Sequence, residues 1–230
     1  MSSSDTPGIA RRRPLAAVGL VLGTAVLLLG ALVVMVETNT GLVHVDERIE
    51  RWAADQATPL GSDLLRLVSH LGETRSVVVL GTVVGTFAYL RTHRWEFPAF
   101  LALVIGGELL LANSLKLVVG RARPTLDPLV HFSGAAFPSG HTTSATATYL
   151  AIALVLGYFV RPTWRPALMG VAVAVSVAVG CSRVLLGVHW FTDVLGGIVL
   201  GWSWFALCAI AFDGRRFRLR TTWRTAAPPE

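Results

Sequence analysis

Three short strings fall in order within residues 116–193: Lys116 followed seven residues later by Arg123-Pro124, then Pro138-Ser139-Gly140-His141, then Ser182-Arg183 with His189 and Asp193 beyond. Three fixed cations, a Ser-Gly turn opening a helix and two histidines, one with a carboxylate four residues on, are the parts needed to bind a phosphoryl group and transfer it through nitrogen. Few other chemistries use this set.

The elements that must position these groups are membrane spans. A chain of 230 residues with 53% hydrophobic residues, 15% charged residues and a mean hydropathy of +0.60 is too apolar for an ordinary soluble domain. Runs long enough to cross a hydrocarbon layer lie near 14–36, 76–92, 97–119, 142–160, 166–186 and 190–212, which predicts six spans and an all-α fold. The first run follows Arg11, Arg12 and Arg13 but is too long for a signal peptide and lacks a small-x-small cleavage site, so it is expected to stay as an anchor. With both termini cytoplasmic, the inner segments hold Arg11 to Arg13, Arg91, Arg94, Arg161, Arg165 and the tail arginines. In the outer segments Arg48, Arg51, Arg66 and Arg75 are diluted by seven carboxylates. The net charge of +6 therefore reflects topology, and nucleic acid is not expected as a partner.

One domain, 14–212, is expected between polar cytoplasmic tails at 1–13 and 213–230. The outer segment 37–75 carries two amphipathic patterns. Val45, Ile49, Trp52 and Ala53 share one helical face, and Leu60, Leu64, Leu67, Val68 and Leu71 another, with Thr58-Pro59 as cap and first helical residue between them. Both helices are expected to lie in the interface and cover the outer surface. Trp52 and Trp190 fall near the outer boundary, and Trp95 and Trp164 near the inner one, as aromatic anchors. Cys181 and Cys208 fall near opposite faces and read as small buried thiols without a disulfide. Gly197 and Gly201 form a small-x-x-x-small pair suited to close helix packing. No internal repeat supports a repeat transporter.

Counting spans tests the strings independently. The Lys116 string ends the third span, Ser139-Gly140-His141 begins the fourth, and Arg183 to His189 bridges the fifth and sixth, so all three emerge on the outer side. At these residues the chain resembles the type-2 phosphatidic acid phosphatase superfamily, which includes lipid phosphate phosphatases and shares its site with vanadium haloperoxidases. The pattern of lysine, six residues, Arg-Pro is met by Lys116, Arg123 and Pro124. Pro-Ser-Gly-His is met by residues 138–141, and Ser-Arg, five residues, His, three residues, Asp is met by Ser182, Arg183, His189 and Asp193. The resemblance covers 76–212 and implies a phosphatidic acid phosphatase/haloperoxidase-like core.

Asp193 lies one helical turn after His189, where its carboxylate can fix the ring tautomer and leave the other nitrogen free to attack phosphorus. The resemblance implies the same roles: His189 forms a phosphohistidine, Asp193 supports it, and His141 is the general acid and base. Gly140 permits close backbone approach, and the amides of Ser139 and Gly140, with the serine hydroxyl, form an anion site at a helix N-terminus. Lys116, Arg123 and Arg183 are expected to clamp the phosphoryl oxygens. Arg121 stands outside this triad, as a headgroup contact or a supporting residue. Glu108 lies deep in the third span and reads as a protonated or paired interhelical group that could hardly touch the phosphate, whereas Asn113 is better placed for support. His44, His70, His93 and His131 have no convincing partners. No cluster has metal-ligand spacing, and no cofactor or metal is expected.

The expected activity is hydrolysis of a lipid phosphate or pyrophosphate at an extracytoplasmic site of an inner membrane. By resemblance, phosphatidic acid, phosphatidylglycerol phosphate and polyprenyl pyrophosphates are the candidate substrates. A phosphotransferase using the same phosphohistidine is the nearest alternative. A noncatalytic lipid-binding or transport protein is a more distant one, and six spans argue against a haloperoxidase.

Overall fold

The computed structural model describes residues 8–55, 58–124 and 134–213. Among them every regular element is helical: α1 (Gly8–Thr38), α2 (Val43–Asp55), α3 (Pro59–His70), α4 (Thr74–Thr92), α5 (Glu96–Val119), α6 (Gly140–Leu156), a 3-10 turn (Pro162–Trp164), α7 (Arg165–Leu185) and α8 (Phe191–Asp213). The extreme N-terminus, the segment 125–133 with His131 and the basic tail 214–230 lie outside the described residues, as do the side chains of Arg11 to Arg13.

Four stretches are long and apolar enough to cross a membrane: Leu15–Thr38, Glu96–Val119, Pro162–Leu185 and Phe191–Phe212. Leu60–His70 and Thr74–Thr92, bent by 48°, qualify together as a fifth. The run expected at 142–160 folds as α6 over only 17 residues and does not meet the same test. Its position explains its polarity. α6 packs against α4, α5, α7 and α8, so Thr142, Thr143, Ser144, Thr146 and Thr148 are all buried in protein. A helix wrapped by others needs small side chains for close approach more than it needs lipid-soluble ones.

Local signals set the helix ends. Thr58 caps α3 by accepting from Gly61 N at 3.2 Å, with Pro59 in the first turn as expected. Gly120 ends α5 in the left-handed region at φ 60°, and its N–H returns to Lys116 O at 3.0 Å. His93 ends α4 in the same way at φ 52°, which gives that histidine a structural role.

The apolar core lies away from the motif strings. Phe97, Phe100, Leu101 and Val104 of α5 pack on Ala147, Ala151, Ile152 and Val155 of α6, with Cys208 of α8. Edge-to-face pairs of Phe97 with Tyr158 and Phe100 with Phe212, each 5.2 Å between centroids, extend it. Nearer the strings, α8 rides directly on the backbone of α6. A Cβ on Gly197 would stand 2.8 Å from Ser139 O, and one on Gly201 would stand 2.7 Å from Thr143 O.

The buried face of α2 is Val43, Asp46, Glu50 and Ala53, whereas Trp52 is exposed. Two carboxylates of this helix are thus turned toward α7 and α8, where Asp46 has buried donors to meet. In α3 the leucines at 60, 64 and 67 are exposed, and Ser62 and Ser69 are buried, so its apolar face is turned outward. One expectation changes: Cys208 is buried as expected, but Cys181 is exposed on the outer surface of α7, and both are free thiols.

The α6–α8 contact can be tested directly. Gly201→Ala is expected to lower the thermal unfolding midpoint in detergent, at an overpacking cost of about 1–3 kcal/mol. Gly106→Ala, whose new methyl meets nothing within 4 Å, is the matched control and should leave the midpoint unchanged.

Candidate active site

The three strings converge. A cavity of about 370 Å³ is lined by Lys116 at the end of α5, Arg123 just beyond it, Gly140 and His141 at the start of α6, Arg183 near the end of α7, and His189 just before α8. The turn after α3 supplies Gly72 and Thr74 as a further wall. A Cβ on Gly72 would lie 2.6 Å from His141 O, so only glycine lets this turn press against the opening of α6.

His189 and Asp193 are 2% and 0% exposed. His189 Nδ1 stands 3.3 Å from Asp193 Oδ2, which also accepts from Trp190 N at 2.9 Å. Since a carboxylate can only accept, the ring proton belongs on Nδ1, and Nε2 carries the lone pair. That lone pair faces the cavity and accepts from Arg123 Nη1 at 3.2 Å. Arg123 is itself held by Val188 O at 2.9 Å from Nη1 and by Gly134 O at 2.9 Å from Nε. Burial first, then Arg123 and Arg183, push the His189 imidazole down to about 4 against the pull of Asp193. It is therefore neutral and nucleophilic at pH 7.

His141, in the first turn of α6, is pushed down to about 3, by burial most and then by Arg183, His189, Lys116 and Arg123. Lys116 reaches the same turn, with its Nζ 3.5 Å from where a Gly140 Cβ would be. Arg183 is 7% exposed; Nη1 donates to Ser69 Oγ at 2.6 Å, while Nε has no partner. The first backbone bond of α6 runs from Thr143 N to Ser139 O at 3.0 Å, so the amides of Gly140 and His141 stand outside the helical ladder. Cations and open amides gathered in this way can receive an oxyanion.

Ser139 departs from its expected place. It is fully buried behind the cavity; its amide donates to Asp193 O at 3.0 Å, and its hydroxyl accepts from Thr142 Oγ1 at 2.9 Å. It braces α6 against α8 and does not line the cavity. Glu108 pairs with Ser144 Oγ of α6 at 2.7 Å, as an interhelical group should, and it lines the deeper part of the same cavity as Lys116 and His189. The cavity runs down α5 past Leu109 and Ala112. Asn113 lines the cavity too, but its amide donates to Leu109 O at 2.8 Å within its own helix. His70 has a partner after all, with Nδ1 3.1 Å from Glu73 Oε2.

Sequence reasoning left Arg121 open and passed over Asp46 and Thr192. Arg121 Nη1 donates to Asp193 Oδ1 at 2.7 Å and to Thr192 Oγ1 at 2.6 Å, and Nη2 donates to Asp46 Oδ2 at 2.7 Å. Its guanidinium lies 5.4 Å from the Trp190 ring centroid, and Trp190 Nε1 donates to Ala122 O at 2.9 Å. No local signal marked Asp46, which hydrophobic periodicity ranks with the solvent-facing residues of α2. Among the described residues, no three His, Cys, Asp or Glu side chains are grouped to hold a metal ion.

Comparison with known proteins agrees with this geometry. The PAP2 superfamily model matches residues 97–217. Phosphatidylglycerophosphatase B of Bacillus subtilis is 34% identical over 187 residues, covering 80% of this chain and 91% of the relative. Lipid A 1-phosphatase of Rhizobium etli is 37% identical over 168 residues, covering 63% and 68%. The crystal structure of a transmembrane PAP2-type phosphatidylglycerolphosphate phosphatase from Bacillus subtilis superposes with a TM-score of 0.77 at 32% identity, covering 90% of this chain and 98% of that one. With its motif strings gathered at one end of an apolar helical bundle, the chain is a membrane protein belonging to the PAP2 superfamily.

Proposed function

We propose that the protein hydrolyses lipid phosphates through a phosphohistidine on His189. The observation that carries this reading is a single cavity holding Lys116, Arg123, Arg183, His141 and the unprotonated nitrogen of His189. A phosphomonoester dianion entering it meets three cations. It replaces Arg123's contact with Nε2 by contacts to its own oxygens. His189 Nε2 then attacks phosphorus, the ester P–O bond breaks, and the departing oxygen takes a proton from His141. In the second half, His141 takes a proton from water, the oxygen attacks phosphorus, and the P–N bond breaks to restore the Nε2 lone pair and release inorganic phosphate. Asp193 stays ionised and stabilises the imidazolium character that develops as Nε2 bonds to phosphorus.

His141 starts neutral, so it must take a proton from solvent as the dianion binds. Bound phosphate supplies negative charge beside the cations that depress this histidine, and its proton affinity rises when an acid is needed. Lys116, Arg123 and Arg183 do the electrostatic work often assigned to magnesium, and no metal takes part. Lipids are the substrate class because the cavity is walled by helices of a membrane bundle, and the relatives act on phosphatidylglycerophosphate and lipid A. In the membrane, α4 and the enclosed α6 complete six spans, with both termini cytoplasmic and the site facing out of an inner membrane.

Phosphate release by purified protein from phosphatidic acid, phosphatidylglycerol phosphate and a polyprenyl pyrophosphate, with chelator present, tests reaction and metal need together. Release from at least one lipid, unchanged by chelator, is expected; loss on chelation refutes the metal-free clamp. Phosphate passed to an added alcohol in place of water would identify a transferase.

His189→Ala should lower turnover by more than about 10³-fold without loss of folded protein, and Asp193→Asn should retain roughly 10²-fold more activity than the alanine variant. Near-normal hydrolysis by His189→Ala would exclude the nucleophile. The pH profile gives a further check. A nucleophile depressed to about 4 is competent above that value and fails as pH falls through it. With substrate ionisation and the proton uptake by His141 divided out, kcat/KM should therefore show no loss from the nucleophile down to about pH 5, whereas a histidine at its ordinary value near 6.5 would already cost about tenfold at pH 5.5.

A further inference from the structure

We propose that Asp46, on the surface-lying helix α2, is a positioning residue for the His189–Asp193 pair and acts through Arg121. The inference rests on the phosphohistidine reading above. Asp46 is 2% exposed and accepts from three donors: Thr192 N at 2.9 Å, Thr192 Oγ1, and Arg121 Nη2 at 2.7 Å. The first two place it on the N-terminal turn of α8, where a carboxylate meets open amides and the positive end of the helix. The third bond fixes one prong of a guanidinium whose other prong holds Asp193 Oδ1 at 2.7 Å.

A planar fork bridging two carboxylates has little freedom to turn. With Asp46 in place, Arg121 presents Nη1 to Asp193 in one orientation, and Asp193 can then present only Oδ2 to His189 Nδ1. The ring plane of His189, and hence the direction of its Nε2 lone pair, follows from that choice. Arg121 does not line the cavity, and neither does Asp46. Their loss should therefore misdirect the nucleophile while leaving phosphate binding intact. Plain anchoring of α2 to the bundle makes a different forecast, since it predicts loss of folded protein with no selective effect on turnover.

The test uses full-length wild-type protein and the variants Asp46→Asn, Arg121→Met, Arg121→Lys and the Asp46→Asn/Arg121→Met double. Each is assayed in detergent for phosphate release from short-chain phosphatidic acid, with rates referred to the monodisperse folded fraction. Asp46→Asn is expected to lower kcat by about 10-fold with KM within twofold, since small misplacements of reacting groups carry costs of this order. Arg121→Met should lower kcat by about 10²-fold, and the double variant should be no worse, because both changes break one chain of contacts. Arg121→Lys keeps the charge without the fork and should resemble Asp46→Asn. Wild-type kcat in either Asp46→Asn or Arg121→Lys overturns the proposal. So does an additive double variant, or a kcat that recovers fully once the folded fraction is counted. A wild-type protein releasing no phosphate from any lipid phosphate would instead overturn the functional reading on which this inference stands.

Discussion

One residue joins the three motif strings. The Asp193 carboxylate accepts from His189, from the Trp190 amide and from Arg121, and its backbone carbonyl accepts from the Ser139 amide. Through these bonds the nucleophile, the loop after α5 and the start of α6 share a single atom cluster. A buried carboxylate is tolerated only when its oxygens are satisfied, and here each is. Local chain geometry starts the arrangement: Asp193 sits three residues into the turn opened by Trp190 and reaches back to that residue's amide, which is one half of a capping box. Long-range partners complete it. The catalytic orientation and the helix start are therefore the same interaction.

Around this anchor the charges are deliberately out of balance. Asp193 is committed to Arg121 and His189, while Lys116, Arg123 and Arg183 gather in one cavity beside it. Mutual repulsion of such cations, in a site partly removed from water, is relieved only by an anion. Burial first, and these cations after it, hold both histidines neutral. On the proposed mechanism, bound phosphate would reverse the local field, so that a single event satisfies the cations and makes a proton available on His141.

The sequence was most legible where a residue's partner is close in the chain or its spacing reports a helix end. The Thr58-Pro59 start, the His189–Asp193 turn, the packing glycines at 197 and 201 and the common end for all three strings follow from such signals. What escaped was set by partners far along the chain. The Asp46–Arg121 contact joins residues 75 apart, and Arg183–Ser69 joins residues 114 apart. Hydrophobic periodicity picks out the apolar face of α2 but ranks Asp46 as a solvent residue, when three buried donors await it. Ser139 failed for a related reason. A Ser-Gly turn at a helix start advertises free amides, but nothing local reveals that α8 claims the first of them.

The polarity of α6 follows from the same design. A span bearing Thr142, Thr143, Ser144, Thr146 and Thr148 in succession is poorly suited to face hydrocarbon. Enclosed by four helices, it has no such exposure to manage. Small hydroxylated side chains then serve two ends: Thr143 Oγ1 returns to Ser139 O at 2.9 Å and Ser144 supports Glu108, while their small volume lets Gly197 and Gly201 of α8 settle against the α6 backbone. That close approach is what brings Asp193 within reach of Ser139. A larger, more apolar α6 would cross a bilayer more readily by itself, but it would hold α8 farther away and separate His189 from the opening of α6.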